Sequence, residues 1–313
     1  MLPLMSESAP DLSVLIPTLG RWRRLESTLR SLSVQDESGF RFEVIVVDNG
    51  SSDGTFENLT EMAEDFPVPL IPLREPRPGP ASARNTGAKA ATGRILLFLG
   101  DDTEPASNKL LESHVLLHEG KPENRMILGQ IQWTPRRPIT PFMRWLDTEG
   151  PQFHFRDLSA GPVRPSQYLY TSHLSMRRSL FERSGGFDGR MRDAYEDVEF
   201  GSRLEREGAE LVYHPELIVF HDHPTTLDDS LRRMVRVGRS AALYNTLNPE
   251  YPHPAIRAPD GWRWKLLDMV APLLKVVPGS KALWARHMAS YARGYRSDGL
   301  VPNEVPKQGG PES

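Results

Sequence analysis

The chain has 313 residues, 38% hydrophobic and 25% charged, which is the composition of a globular protein with room for one large domain and an appendage. Its formal net charge of −3 leaves no basic footprint, which argues against a nucleic acid as a partner. Cysteine is absent, so disulfides and thiolate metal sites are excluded. No apolar run is as long as a membrane span, and the first ten residues lack the pattern of a signal peptide, so we expect a cytoplasmic protein.

The amino-terminal part of the chain alternates predicted strands with predicted helices. Short apolar runs predict the strands, and leucines that recur on one face predict the helices. The strands are predicted at 12–16, 42–47, 69–73 and 94–99, and the helices at about 21–33, 55–65 and 81–91. This alternation predicts an α/β fold with a mostly parallel, helix-covered sheet.

Polar residues follow three of these predicted strands. Pro17 and Thr18 end the first strand, Asp48 ends the second, and Asp101 and Asp102 follow the fourth. Ligands of open α/β sheets bind at the carboxyl ends of the strands, so we expect these side chains to lie at one edge.

The adjacent carboxylates of Asp101 and Asp102 permit two interpretations. Two neighbouring carboxylates repel each other unless a cation or a proton neutralises them, and oxygen ligands suit Mg²⁺ or Mn²⁺ with a bound phosphate. The run from Asp101 to Pro105 could instead begin a helix, with an acidic cap and a proline in the first turn. The pair alone does not decide between them.

Four segments together resemble the nucleotide-sugar glycosyltransferases of family 2, which have the GT-A fold. They are SVLIPT (13–18), EVIVVDNGSSDGT (43–55), GPASARNTG (79–87) and LFLGDD (97–102). Neither the Gly-x-Gly-x-x-Gly turn of dinucleotide oxidoreductases nor a Gly-x-x-x-x-Gly-Lys-Ser/Thr phosphate loop occurs in the sequence. The resemblance, which extends over about Leu12 to His223, implies an inverting transfer of a sugar from a nucleotide-diphosphate sugar, preferably a UDP-sugar, to an acceptor hydroxyl.

The resemblance also implies which residues bind the donor. Pro17, Thr18 and Asp48 would line the base and ribose pocket, and the alternative for Asp48 is a cap of the turn after its strand. Gly79 would let the backbone approach the ligand. Arg84 would face the nucleotide and the aspartate pair, and the alternative is an Arg–Asp ion pair without a catalytic role.

A divalent metal, Mn²⁺ or Mg²⁺, is the implied cofactor. Asp102 is expected to bind it directly, while Asp101 contacts the ribose or a metal-bound water. The family often has a third aspartate where this chain has Gly100, which leaves the pair as the motif. His221 would complete the metal site from the end of a predicted strand. His223 faces the same way in an extended chain and is the alternative.

The second half of the matched region is expected to hold the general base and the acceptor. Asp197 would take the proton of the acceptor hydroxyl, and Glu196 would contact the acceptor or orient the site. Both begin a predicted helix, where the helix dipole favours acidic residues in any case. His173 replaces a small or amide residue of the family, so it either alters substrate choice or is a buried, hydrogen-bonded histidine. The acceptor pocket is expected within 131–165, and a glycan, a lipid-linked or a small-molecule acceptor is compatible with it.

Two other functions stay open at this point. An inactive relative would bind a nucleotide sugar or a glycan without transfer, and it should lack one of the acidic motifs, both of which this chain keeps. A sugar nucleotidyltransferase has a similar sheet but needs a basic, glycine-rich loop after its first strand. The run from Gly20 to Arg24 only faintly resembles such a loop.

The chain is expected to consist of a GT-A domain, a helical extension and two disordered ends. The GT-A domain is residues 11–225, with a nucleotide-sugar half at 11–103 and an acceptor half at 104–225. The helical extension is residues 226–303, and the disordered ends are residues 1–10 and 304–313.

Beyond Thr225 the chain has 13 Lys and Arg against 8 Asp and Glu. The segment 262–277 combines tryptophans, basic residues and a broad apolar face, which is typical of helices on a membrane surface. Packing on the catalytic domain or a homodimer contact would explain it equally well.

Overall fold

The computed structural model describes residues 9–276 and 279–297, and it divides the chain into two compact units, residues 1–226 and 227–313. Of the ends expected to be disordered, only Ala9 and Pro10 are described, and they have no regular structure. The rest of 1–10 and all of 304–313 lie outside the described residues.

Residues 12–99 of the first unit alternate strands and helices in the predicted order, and the rest of this unit does not alternate strictly. Its strands are β1 (Leu12–Thr18), β2 (Phe42–Asp48), β3 (Leu70–Arg74), β4 (Ile95–Leu99), β5 (Thr103–Pro105), β6 (Arg125–Trp133), β7 (Gly161–Val163), β8 (His173–Arg177) and β9 (Glu210–His221). Its helices are α1 (Trp22–Leu32), α2 (Thr55–Glu64), α3 (Pro80–Ala90), α4 (Leu110–His118), α5 (Pro141–Thr148), α6 (Pro165–Tyr168), α7 (Arg178–Arg183) and α8 (Glu196–Arg206), with a 3-10 turn at Phe155–Asp157.

Within the described residues the nine strands form one sheet in the order β3-β2-β1-β4-β8-β6-β9-β5, with β7 paired to β9. Among the amino-terminal strands β1 to β4, every pair of neighbouring strands is parallel. β8 runs antiparallel between β4 and β6, while β6 and β9 are parallel. The predicted α/β sheet is therefore correct, and its antiparallel pairs lie in the second half.

The centre of the sheet is apolar because helices cover it. Every residue of β2 and β4 is buried, which explains why both strands are nearly continuous apolar runs. Helix α1 adds a buried stripe of Leu25, Leu29 and Leu32 at the spacing of one helix face. Burying each such side chain contributes about 1.5–3 kcal/mol, so the strand ends that carry polar residues have a rigid support.

The interpretation of residues 101–105 as the start of a helix is wrong. Thr103–Pro105 form β5, which pairs antiparallel with the end of β9 so that Thr103 lies opposite His221. The backbone N–H of Asp222 also donates to the carbonyl of Asp102 at 2.8 Å. Pairing with a distant strand therefore decides the local conformation, and it brings the aspartate pair next to the end of β9.

The second unit has three helices in its described residues, α9 (Leu227–Leu247), α10 (Trp262–Val270) and α11 (Ser280–Arg296). The helix predicted over 262–277 ends at Val270 and continues as a 3-10 segment, Ala271–Val276, because Pro272 lacks the N–H that an α-helix needs there. Val277 lies outside the described residues. No helix among those described is long and apolar enough to cross a bilayer.

Helices α9 and α11 approach each other closely at two glycines. A Cβ on Gly238 would collide with the backbone of Tyr291, and a Cβ on Gly294 would collide with the backbone of Val235. The two glycines therefore permit a contact between backbones that larger side chains would hold apart.

Candidate functional site

Three strands of the first unit bring polar side chains to one edge of the sheet. Thr18 at the end of β1 lies opposite Asp48 at the end of β2. The turn after β4 carries Asp101 and Asp102, and the Thr18 hydroxyl donates to Asp101 Oδ2 at 2.8 Å. All four side chains are buried, so the sheet edge holds them in fixed positions.

Arg21 forms an ion pair with both aspartates in this structure. Its Nε lies 3.2 Å from Asp101 Oδ2, and its Nη1 lies 3.0 Å from Asp102 Oδ2. Burial and the charge of Asp102 raise the pKa of Asp101. Burial also acts to raise the pKa of Asp102, but the charge and hydrogen bond of His221, together with His223 and Arg21, hold that pKa well below its usual range. Asp102 is therefore the carboxylate of the pair that keeps its negative charge most firmly.

Asp102, His221 and His223 form a possible metal-binding group. One ligand atom of each lies within 4.8 Å of the others. His223 Nδ1 lies 2.9 Å from Asp102 Oδ2, and His221 Nε2 lies 3.4 Å from Asp102 Oδ1. A carboxylate with two imidazoles is a donor set that fits a divalent transition metal such as Mn²⁺. Both histidines face Asp102, so His221 and His223 need not be alternatives.

Two further arginines belong to this site, Arg21 directly before α1 and Arg24 within it. Besides the contacts of Arg21, Arg24 Nη1 lies 3.1 Å from His223 Nδ1. Their signal in the sequence is the basic run from Gly20 to Arg24, which faintly resembles a nucleotidyltransferase loop. Its position directly after β1 places it at the carboxyl edge of the sheet.

The end of β2 is tied to the loop that precedes α3. Asp48 Oδ1 accepts a hydrogen bond from the N–H of Ser51 at 3.1 Å, which is the turn cap that the sequence allowed. The Asn49 amide donates to the carbonyl of Arg77 and accepts from the N–H of Gly79, both at 2.8 Å. Gly79 has a φ of 112°, and a Cβ there would lie 2.8 Å from the backbone of Arg192. Packing alone therefore requires glycine at this position.

Arg84 pairs with Glu196 and not with an aspartate, so the alternative of an Arg–Asp ion pair is wrong. Arg84 Nη1 lies 2.8 Å from Glu196 Oε1, and each side chain is 9% exposed. The cation beside the aspartate pair is Arg21 instead. The Arg84–Glu196 pair links α3 to the first turn of α8, and Arg84 Nε is a buried atom without a hydrogen-bond partner among the described residues.

Asp197 and the metal-binding group border the same aromatic cluster. Asp197 Oδ1 accepts from the N–H of Val198 at 2.8 Å. Burial raises the pKa of the Tyr170 hydroxyl, and the charge of Asp197 raises it further. The Tyr170 ring packs against Phe153 at 5.1 Å, and Phe153 packs edge-on against His221 at 6.0 Å.

A cleft of about 280 Å³ opens beside this cluster. Its lining is mostly polar and consists of Gln130, Gln132, Asp147, Thr148, Phe155 and Arg156. Phe155 contacts Tyr170 at 5.2 Å between ring centres. Asp147 as a whole is exposed, but partial burial of its carboxyl raises its pKa, and the charge of His221 partly offsets that shift. Apart from Gln130, these residues lie in the segment where we expected the acceptor pocket.

Of the two interpretations of His173, the structure supports the buried, hydrogen-bonded histidine. It is fully buried, its Nε2 lies 3.0 Å from His114 Nε2, and its Nδ1 lies 3.3 Å from the carbonyl of Gln130. A Cβ on Gly129 would collide with its ring, so the glycine makes room for the imidazole. His173 therefore packs the sheet instead of lining a pocket.

Comparison with known proteins identifies the family. The model of glycosyl transferase family 2 matches residues 13–198. The chain belongs to this family. It is 26% identical over 294 residues to the uncharacterized glycosyltransferase YfnE of Bacillus subtilis, which covers 79% of this chain and 74% of that protein. It is 30% identical over 272 residues to the pre-mycofactocin glycosyltransferase of Mycobacterium tuberculosis, with 81% of this chain but only 52% of that protein covered.

Solved structures of glycosyltransferases share the fold of this family 2 member. The mannosyltransferase PcManGT from Pyrobaculum calidifontis, in complex with GDP-Man and Mn²⁺, matches with a TM-score of 0.60 and 18% identity over 92% of this chain and 86% of that chain. Residues 1–349 of TarS from S. aureus, in complex with UDP, match with a TM-score of 0.54 and 17% identity over 92% and 90%. The predicted GT-A fold, a Rossmann-like, mostly parallel sheet covered by helices, with helices after it, is confirmed.

Proposed function

We propose that this family 2 glycosyltransferase moves a sugar, with inversion, from a nucleotide-diphosphate sugar to an acceptor hydroxyl. We favour a UDP-sugar as the donor. The observation that carries the proposal is the group of Asp102, His221 and His223 at the sheet edge that also holds Thr18 and Asp48. This arrangement supports binding of a nucleoside and a metal-bound diphosphate at adjacent positions.

The donor site would be formed by residues at the ends of β1, β2 and β4, together with Gly79 before α3 and Arg84 on α3. The residues in this role are Pro17, Thr18, Asp48, Gly79, Arg84 and Asp101. Asp102, His221 and His223 would hold the metal, and we favour Mn²⁺ over Mg²⁺ because imidazole nitrogen suits a transition metal better than the harder Mg²⁺. A bound divalent ion would neutralise negative charge on the departing diphosphate.

Asp197 would act as the general base. Its carboxylate takes the proton of the acceptor hydroxyl while that oxygen forms the bond to the anomeric carbon and the bond to the diphosphate oxygen breaks. Attack from the face opposite the leaving group inverts the configuration. Glu196, which is fixed by Arg84, would orient the first turn of α8, and the shared aromatic cluster supports the closeness of Asp197 to the metal-binding group.

The cleft beside Phe155 is where we place the acceptor. Gln132 precedes Trp133, whose ring packs over His221 at 5.2 Å, so the cleft adjoins the metal-binding group. Two carboxamides, a carboxylate and a hydroxyl above an aromatic side chain offer both donors and acceptors to a ligand rich in hydroxyl groups. This lining fits the sugar or polyol part of a glycan, of a lipid-linked acceptor or of a small molecule.

The C-terminal extension would serve as a contact surface, either for a membrane or for a second copy of the chain. Its surplus of basic residues and the exposed apolar side chains of α10 support this role.

The substitution Asp197→Asn tests the proposed chemistry. The variant should bind UDP with Mn²⁺ as the wild type does, because the donor site is unchanged, and its transfer rate should fall by about 10²- to 10⁴-fold. Calorimetry measures the binding, and release of UDP from UDP-sugars measures turnover. Asp193→Asn, an exposed aspartate just before α8, is the matched control. Full activity of Asp197→Asn would exclude this residue as the base, and a wild type that binds no nucleotide with Mn²⁺ would refute the function.

A further inference from the structure

Helix α10 and the 3-10 segment after it present a line of exposed apolar side chains. Trp262 is 69% exposed, Leu266 43%, Met269 67% and Leu273 72%. The spacing of four and three residues places Trp262, Leu266 and Met269 on one face of α10, and Leu273 follows them in the 3-10 segment. We call these four residues the α10 stripe. Each residue of α10 is described, and none is buried.

The opposite face of α10 already has its packing partner in α11. The ring of Trp264 lies 6.2 Å from that of Tyr291, and Asp268 forms an ion pair with Arg296. The α10 stripe is thus the side that remains exposed after the second unit has folded. A contiguous exposed apolar surface of this kind marks an interaction site more often than scattered apolar residues do.

The charge next to the α10 stripe is positive. Arg263 and Lys265 are exposed on α10, and Arg263 lies over the Trp262 ring at 5.6 Å. The acidic residue of this helix, Asp268, is neutralised by Arg296. Aliphatic side chains with a tryptophan enter the boundary between acyl chains and headgroups, and neighbouring cations attract anionic headgroups.

A second copy of the chain fits this face less well. A two-fold interface brings the same patch of both copies together, so the cations beside one α10 stripe would face those of the other. Like charges at such an interface are repulsive, whereas anionic lipids supply the opposite charge over the whole surface.

We infer that the α10 stripe binds peripherally to the surface of a bilayer that contains anionic lipids. This inference rests on the proposed role of the extension as a contact surface and is independent of sugar transfer. Arg263 and Lys265 confer the preference for anionic lipids, and each contributes about fivefold to the affinity.

Flotation of the full-length chain with vesicles tests the inference. The chain should float with vesicles of phosphatidylcholine and phosphatidylglycerol, float weakly with phosphatidylcholine alone, and dissociate from the anionic vesicles as salt is raised. The double variant Leu266→Glu, Met269→Glu should no longer float. Leu116→Glu, at an exposed leucine of α4 in the first unit, is the matched control and should float normally. Both substituted positions of the double variant are exposed, so its unfolding temperature should match that of the wild type.

A second variant separates charge from apolar contact. Arg263→Gln, Lys265→Gln should bind anionic vesicles about 25-fold more weakly and lose the preference for them. The inference is overturned if the wild type does not bind anionic vesicles, or if the stripe variant binds them as well as the wild type. Sedimentation equilibrium without lipid tests whether a second copy of the chain binds to the α10 stripe instead. A dimer in the wild type that dissociates in the stripe variant would also overturn the inference. Calorimetry of UDP with Mn²⁺ on the same samples reports on the transferase function separately.

Discussion

Arg21 lies between the two aspartates at the end of β4 and is less buried than either of them. Its side chain is 37% exposed, while those of Asp101 and Asp102 are almost fully buried. It supplies positive charge that reduces the repulsion between the two adjacent carboxylates. A divalent ion bound to Asp102 would bring two further positive charges to the same carboxylate oxygens. Arg21 and the metal are therefore expected to compete for Asp102.

Replacement of Arg21 tests this competition. In Arg21→Gln, Mn²⁺ should bind more tightly in the absence of nucleotide, because the competing cation is removed. The gain in affinity should be about two- to fivefold, since a partly exposed ion pair is worth at most about 1 kcal/mol. Titration of Mn²⁺ followed by electron paramagnetic resonance measures the affinity without any turnover. Arg23→Gln, at an exposed arginine of the same helix, is the control and should leave the affinity unchanged. Weaker Mn²⁺ binding in Arg21→Gln would show that the arginine supports the metal site instead.

The sequence predicted the positions of the site residues more reliably than their partners. Thr18, Asp48 and Asp101 could be placed at one edge because strand ends are local features that a short apolar run defines. The partner of Arg84 could not be predicted, because Glu196 follows it by 112 residues and meets it only in the folded chain. The same holds for Arg21, whose contacts depend on the conformation of the loop after β1.

At the scale of elements, the cleft proposed for the acceptor is assembled from three of them. β6 contributes Gln130 and Gln132, the end of α5 contributes Asp147 and Thr148, and the 3-10 turn contributes Phe155. Asp147 accepts no hydrogen bond from another part of the described chain, so its carboxylate is available to a ligand. We expect it to accept hydrogen bonds from hydroxyl groups of the acceptor.

The substitution Asp147→Asn should therefore act on the acceptor and not on the donor. A hydrogen bond to a charged group is worth about 1.5–3 kcal/mol, so we expect kcat/KM for the acceptor to fall by about tenfold or more, mainly through KM. The assay uses the compound that best stimulates UDP release by the wild type, from a panel of methyl glycosides and cyclitols. Asp157→Asn, an exposed neighbour of the cleft, should behave like the wild type. An equal loss in donor binding would place Asp147 in the donor site instead.

The elements that the sequence could not predict are those defined by long-range pairing. Residues 103–105 have a composition compatible with a helix start, and only the presence of β9 alongside makes them a strand. The 3-10 segment after α10, in contrast, follows from a local cause, the proline at position 272. Element type was thus predictable where periodicity extended over several residues and not where three residues depended on a distant partner.

At the scale of the whole molecule, both units contain buried histidines. His114, His118 and His173 lie in the first unit, where the Ser175 hydroxyl lies 2.9 Å from His114 Nδ1 and 2.9 Å from His118 Nε2. His287 is fully buried in the second unit. Burial lowers the pKa of each of them, to about 4 for His173 and about 3 for His118. The folded chain therefore keeps these imidazoles neutral at pH values where the unfolded chain would protonate them.

This difference predicts a stability that decreases in mild acid. Histidine in the unfolded chain has a pKa of about 6.5, so the stabilisation is complete above that value and is lost as the pH falls towards the lower pKa of the folded chain. Each histidine contributes up to about 1.4 kcal/mol per pH unit to the slope. Asp101 and Asp147 act in the opposite direction because the pKa of each is raised, but two carboxyls do not offset four imidazoles.

Urea unfolding at a series of pH values between about 7.5 and 5 measures this slope. The free energy of unfolding of the wild type should fall on acidification. In His118→Gln the slope of this free energy against pH should be shallower, because one of the four buried histidines no longer contributes to it. The variant should also be less stable than the wild type at neutral pH. Comparing variant with wild type removes the contribution of Asp101 and Asp147, which is common to both. His154→Gln, at an exposed histidine of the same unit, should keep the slope of the wild type. An unchanged slope in His118→Gln would mean that His118 binds its proton in the folded and unfolded chains alike.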